Sequence, residues 1–135
     1  MNILFTGNRG NLGREMIPLL EKDHVVQYAN IDYSDPDIVD SYFRNRSVDF
    51  IIHAAIRGGR RVRVDTADDL YNNLQMFENL AELRIPMINI CSGAAYGRQD
   101  NIIGVTEKNF GKKIPTDYYG FSKYLISHRC RQYDH

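Results

Sequence analysis

Short apolar runs alternate along the chain with longer stretches in which apolar residues recur every three or four positions. The runs predict strands over 2–6, 25–31, 49–53 and 86–91, and the helical spacing predicts helices over 11–22, 36–46, 65–84 and 118–134. Strands separated by helices line up in parallel and leave both sheet faces to be covered. The fold class is therefore α/β, a doubly wound parallel sheet in a single three-layer domain over 1–135. Asp35-Pro36 opens one helix, since proline tolerates the first turn and aspartate accepts from its exposed amides. Pro18 falls inside the first helix and removes a hydrogen bond there, so a kink is expected.

Length agrees with one core and no more: a chain of 135 residues removes roughly two-thirds of its extended surface from water. The longest apolar run, around Ile51-Ile52, is far short of the roughly 20 residues that span a bilayer, so no membrane segment is expected. Seventeen basic residues balance seventeen acidic ones, which leaves no global field to gather nucleic acid. The N-terminal run lacks the shape of a secretory signal, and a cytoplasmic location is expected. Cys91 and Cys130 form no close-spaced pair and read as buried thiols. His24, His128 and His135 carry no metal-ligand spacing, so no metal is expected.

The first strand runs straight into Thr6-Gly7-Asn8-Arg9-Gly10-Asn11-Leu12-Gly13, a Gly-x-x-Gly-x-x-Gly that opens a helix. Glycines let the backbone turn tightly, approach a diphosphate without a Cβ in the way, and pack helix against strand. The helix amides then face the anion. Gly7, Asn8, Arg9, Gly10, Asn11, Leu12 and Gly13 are thus candidate dinucleotide-binding residues of a Rossmann-type sheet. At the end of the second strand an acid suits a free ribose 2′-hydroxyl and a basic neighbour suits a 2′-phosphate. The acid is missing at Tyr28, Ala29 and Asn30, and Arg9 lies within reach, so NADP is slightly favoured over NAD. Asp32, followed by Tyr33, remains a candidate as a displaced ribose acid or an adenine contact. The alternative is a turn aspartate, with Arg9 a solvated charge.

Later in the chain Ser92, in Cys91-Ser92-Gly93-Ala94-Ala95-Tyr96-Gly97, precedes Tyr119 and Lys123, in Asp117-Tyr118-Tyr119-Gly120-Phe121-Ser122-Lys123. With the glycine turn at the other end, this order resembles the extended short-chain dehydrogenase/reductase family, of NAD-dependent epimerase/dehydratase type, over nearly the whole chain. His53-Ala54-Ala55, Gly58-Gly59 and Asn72-Asn73 most resemble its GDP-fucose synthase branch. The resemblance implies a nucleotide-sugar substrate and hydride transfer with a nicotinamide cofactor. It makes Ser92, Tyr119 and Lys123 the catalytic residues, and adds Ala54, Ala55 and Asn73, with Tyr119 and Lys123, to the cofactor site.

The residues support that chemistry. Tyr119 and Lys123 are four apart and share a helix face. A free tyrosine ionises near pH 10, too high for neutral acid/base work, and a neighbouring ammonium favours the phenolate. Ser92, just past a strand end, is placed to hydrogen-bond the substrate oxygen. Each residue alone has a plainer reading: Tyr119 and Lys123 as a surface pair, Ser92 as a turn cap.

The chain departs from the branch at Ala94, where the branch has a cysteine that acts in epimerisation, so epimerisation by that route is not expected. No counterpart of the family's substrate-binding lobe is visible. A dinucleotide-binding module without catalysis, or a subunit completed by a partner chain, is the alternative. Arg57, Arg60, Arg61 and Arg63 form a basic cluster suited to a substrate diphosphate or to solvent, and nucleic acid is not an expected partner. By resemblance, a homodimer forms through helices 65–84 and 118–134.

Overall fold

The computed structural model describes residues 1–60, 62–99, 101 and 103–133, so Arg61 and His135 lie outside the described residues. These residues form two compact units, Met1–Ile56 with Gln75–Ile90, and Arg57–Leu74 with the described residues from Cys91 onward.

The first unit holds a parallel sheet of four strands, β1 (Asn2–Thr6), β2 (Val25–Gln27), β3 (Phe50–His53) and β4 (Met87–Asn89), in the order β2-β1-β3-β4. Side chains alternate across a strand, and here both faces are apolar. Leu4 and Ile51 pack on one face with Tyr33, with Val39 of α2 (Pro36–Phe43) and with Met76 and Leu80 of α3 (Ala67–Ala81). Ile3, Phe5 and Ile52 pack on the other with Ile17 of α1 (Asn11–Leu20). The expected doubly wound α/β arrangement is present, with each strand and helix close to its predicted place.

The differences lie at the edges. β2 stops at Gln27, its last partner on β1 being Leu4, and Tyr28 beyond it is exposed. β4 ends at Asn89, so Cys91 has left the sheet before any core can cover it. Cys91 is exposed and Cys130 half-buried, both free thiols, which corrects the expectation that both are buried. α2 begins as expected: Asp35 accepts from the amides of Asp37 and Ile38, with Pro36 in the first turn. α1 continues across Pro18, which is exposed, and closes at Leu20. No helix among the described residues is long and apolar enough to cross a membrane.

The second unit is built on α4 (Tyr118–Tyr133), packed against a 3-10 turn over Gly93–Tyr96. Asp117 caps α4, its carboxylate taking the Gly120 amide at 2.8 Å. Gly120 is required by space, because a Cβ there would lie 2.8 Å from the Ala94 carbonyl oxygen. Phe110 stacks on Tyr124, and Arg131 lies over Phe110.

Candidate functional site

Between β1 and β3 the strand order reverses direction, and in open α/β sheets ligands bind outside the carboxyl ends of the strands at such a point. Thr6 and His53 are register partners at those ends. Gly7 follows with φ of +78°, and a Cβ there would fall 2.8 Å from both Ala54 C and Ala55 N. Gly13 packs as closely: its Cβ would lie 2.6 Å from Asn8 Cα. At the head of α1, Gly10 has no side chain to cap the first amides, and the first turn carries no acid. A backbone brought close with its amides uncapped is the cradle an anionic diphosphate fits. Arg9, Asn11 and Leu12 are exposed and Asn8 half-buried.

Thr6 holds this corner. Its buried hydroxyl oxygen takes the amides of Ala54 at 3.2 Å and Ala55 at 3.0 Å, and lies 2.8 Å from His53 Nδ1. Two accepted bonds fill a hydroxyl's acceptor capacity, so its proton goes to the imidazole, which accepts through Nδ1 and carries its hydrogen on Nε2. Ala54 and Ala55 are thus fixed through their backbone, beside Gly7.

Asp32 is engaged in a turn, its carboxylate taking the Ser34 amide at 3.0 Å and hydroxyl at 2.6 Å. The Tyr33 ring belongs to the core. It is 4% exposed, its hydroxyl donates to the Ala29 carbonyl at 3.4 Å, and burial, joined by nearby Tyr42, pushes its phenol up from the usual range. A cavity of 410 Å³ on α2, lined by Ile31, Asp37, Ile38, Ser41, Tyr42 and Arg46, includes none of the expected site residues.

The second unit brings the other candidates together. Tyr119, half-buried, and Lys123, 4% exposed, lie one turn apart on α4. Burial lowers the Lys123 ammonium from its usual range, partly opposed by the thiols of Cys91 and Cys130. Ser92 caps the 3-10 turn, its hydroxyl oxygen accepting from the Ala94 amide at 3.2 Å. Asn73 is wholly buried: its carbonyl takes the Arg57 amide at 2.8 Å, and its NH2 donates to the Arg57 carbonyl at 2.9 Å and faces Ser122 Oγ at 3.4 Å. Ser122 donates in turn to the Tyr119 carbonyl at 2.8 Å.

Three members of the arginine cluster, Arg57, Arg60 and Arg63, are among the described residues. Arg63 is paired with Asp69, whose carboxyl that guanidinium holds below its usual range, while Arg57 and Arg60 are exposed. No group of acidic, histidine or cysteine side chains among the described residues is arranged to hold a metal ion.

Sequence reasoning missed Thr6 and His53 as a network, and missed Asp65, Arg98 and Asp117 around Tyr119. Only Asp117 carried a local signal, a capping residue immediately before a helix.

The strand order, its reversal point and the glycine turn together define a Rossmann-type dinucleotide-binding fold. Residues 3–135 match the model of the NAD dependent epimerase/dehydratase family, and the chain belongs to that family. Solved structures agree in fold. A GDP-L-fucose synthetase from Naegleria fowleri superposes with a TM-score of 0.80 at 18% identity, over 98% of this chain and 44% of that one. A GDP-mannoheptose C4 reductase from Campylobacter jejuni, with NADP bound, gives 0.84 at 18%, over 98% and 46%. A UDP-glucose 4-epimerase from Thermotoga maritima gives 0.80 at 19%, over 98% and 51%. The chain spans about half the length of these structures. No curated protein sequence matches it.

Proposed function

We propose that the chain binds a nicotinamide dinucleotide, NADP in preference to NAD, and serves an oxidoreductase or epimerase acting on a nucleotide-linked sugar. The observation that carries this reading is the turn at the reversal point: Gly7, at φ +78° and pressed against the Ala54 and Ala55 backbone with no room for a side chain, leads the chain from β1 to the uncapped head of α1, where an anion fits. Family membership and the NADP-bound reductase among its structural neighbours support the same class. A cytoplasmic setting and a homodimer through α3 and α4 belong to the same proposal.

When bound, the cofactor supplies or accepts a hydride. The chain's residues do the rest. Backbone amides from Gly7 to Gly13 hold the diphosphate, and Arg9 meets a 2′-phosphate. Ser92, whose oxygen already accepts from the Ala94 amide, keeps its hydroxyl proton to donate to the substrate oxygen. Tyr119 gives that oxygen a proton during reduction and takes it back during oxidation. Lys123 holds the cofactor ribose and favours the phenolate, while Asn73 fixes the Arg57 backbone. Ala94 brings no ionisable group, so any epimerisation needs its acid from elsewhere.

Equilibrium titration of the chain with NADPH and NADH tests the reading. Micromolar binding with NADPH the tighter is expected; Arg9→Ala should weaken NADPH about tenfold and NADH little, and Gly7→Val should abolish both. No binding of either at millimolar concentration would overturn the proposal. Turnover of nucleotide sugars, lost in Tyr119→Phe, distinguishes an enzyme from a binding module.

A further inference from the structure

Tyr119 has company from outside its helix. The Arg98 guanidinium lies over its ring, 5.3 Å from the centroid, where a cation meets the negative π face. Two carboxylates hold the arginine there. Its Nη2 donates to Asp117 Oδ1 at 2.7 Å and pairs with Asp65 Oδ2 at 3.5 Å.

Neither carboxylate swings freely. Asp117 Oδ1 also takes the Gly120 amide at the start of α4, and Asp65 Oδ1 takes the Gly59 amide, each at 2.8 Å. Gly59 then closes the circuit against the ring itself: a Cβ there would sit 2.7 Å from Tyr119 Cε2 and 2.8 Å from Cδ2. The phenol is therefore touched by a bare stretch of backbone and by a guanidinium, and Asp65 ties the two together.

The charges around the ring matter as much as the contacts. Arg98 meets the ring from the segment after the 3-10 turn; Asp65 reaches Arg98 from the loop that carries Gly59 and Asp117 from the α4 cap, while Lys123 lies one turn along α4. Two negative and two positive charges balance. Without Arg98 the two carboxylates outweigh the lysine, and a phenolate would form against a net negative charge.

We propose that Arg98 is a positioning residue for Tyr119: it fixes the plane of the phenol and neutralises the two carboxylates that would otherwise oppose loss of its proton. The inference deepens the proposed function and rests on Tyr119 being the proton-transferring group. Lysine is a poor substitute, because it keeps the charge that meets both acids but not the planar guanidinium that lies on the ring.

Tyrosinate absorbance, followed against pH in the full chain without cofactor or substrate, tests this directly. Wild type, Arg98→Met, Arg98→Lys and Asp65→Asn are each measured with and without Tyr119→Phe, so that subtraction isolates one tyrosine among nine. Tyr119 in Arg98→Met should ionise about one pH unit higher, a tenfold change in its ionisation constant. Arg98→Lys should fall between that variant and wild type. Asp65→Asn, which keeps an acceptor for the Gly59 amide, should move the ionisation the other way and covers the case in which Arg98→Met fails to fold. An unmoved ionisation in every folded variant would overturn the proposal. Because no cofactor is involved, that result stands apart from a failure to bind NADPH, which would instead remove the proposed function.

Discussion

Asn73 engages its carbonyl and both amide hydrogens while fully buried, and two of its bonds go to the N–H and C=O of the same residue, Arg57. It does for that backbone what a strand partner would do. Asn73→Ala leaves those groups unpaired and should cost about 2 kcal/mol, read as a lower urea midpoint with an unchanged slope. Asn73→Asp should cost more, because a carboxylate accepts from the Arg57 amide but has nothing to donate to its carbonyl. The sequence marked Asn73 for the cofactor site, yet nothing local to Asn72-Asn73 names its partner, sixteen residues earlier. Tyr33 is the converse. A tyrosine just past a strand end looked available for a ligand, and only the packing of Val39, Met76 and Leu80 around it shows that its ring is core.

Two helices test how far local signals reach. α2 has every expected device at its start, with Asp35 bonded to two first-turn amides, and Asp35→Ala should destabilise the protein by about 1 kcal/mol. α1 carries Pro18 in its interior on an exposed side. Pro18→Ala restores an amide hydrogen bond and should stabilise the fold by about 2 kcal/mol, less than the full helix penalty of proline because alanine also frees the unfolded chain. Thermal denaturation of both variants checks the opposite signs. Elements of this kind were legible because caps, prolines and apolar periodicity act within a few residues. The surroundings of Tyr119 were not: Arg98 reaches Asp65 across 33 positions and Asp117 across 19, and no periodicity records such meetings. Strand ends were misjudged for a related reason, since apolar runs continue past the point where a neighbouring strand is there to pair with them.

For the whole molecule, Lys123 sets a cost against a use. Its ionisation is lowered by burial from an ordinary value of 10.5. Below the folded value lysine is charged in both states and the fold bears the full penalty of a buried ammonium. As pH rises from there toward 10.5 the folded state sheds the proton while the unfolded state keeps it, so stability rises across that window. Tyr33 acts in the opposite sense only above pH 10, where the unfolded phenol ionises and the buried one does not. Urea unfolding should therefore show stability increasing with pH in the alkaline range below 10. Lys123→Met should be more stable than wild type at neutral pH and lose that slope, while forfeiting turnover. An unchanged slope would mean that the buried ammonium is not its source.

The Thr6 hydroxyl has a meaning in time as well as in space. It joins residues 47 to 49 positions apart in the sequence, so the chain between them must be drawn shut before any of these bonds forms. Contacts of such separation form slowly, since the entropy of closing the loop is spent before the bonds return anything. Until β1 and β3 pair, Gly7 has no Ala54 backbone to lie against. The ability of the glycine turn to hold an anion therefore reports that β1 and β3 have met.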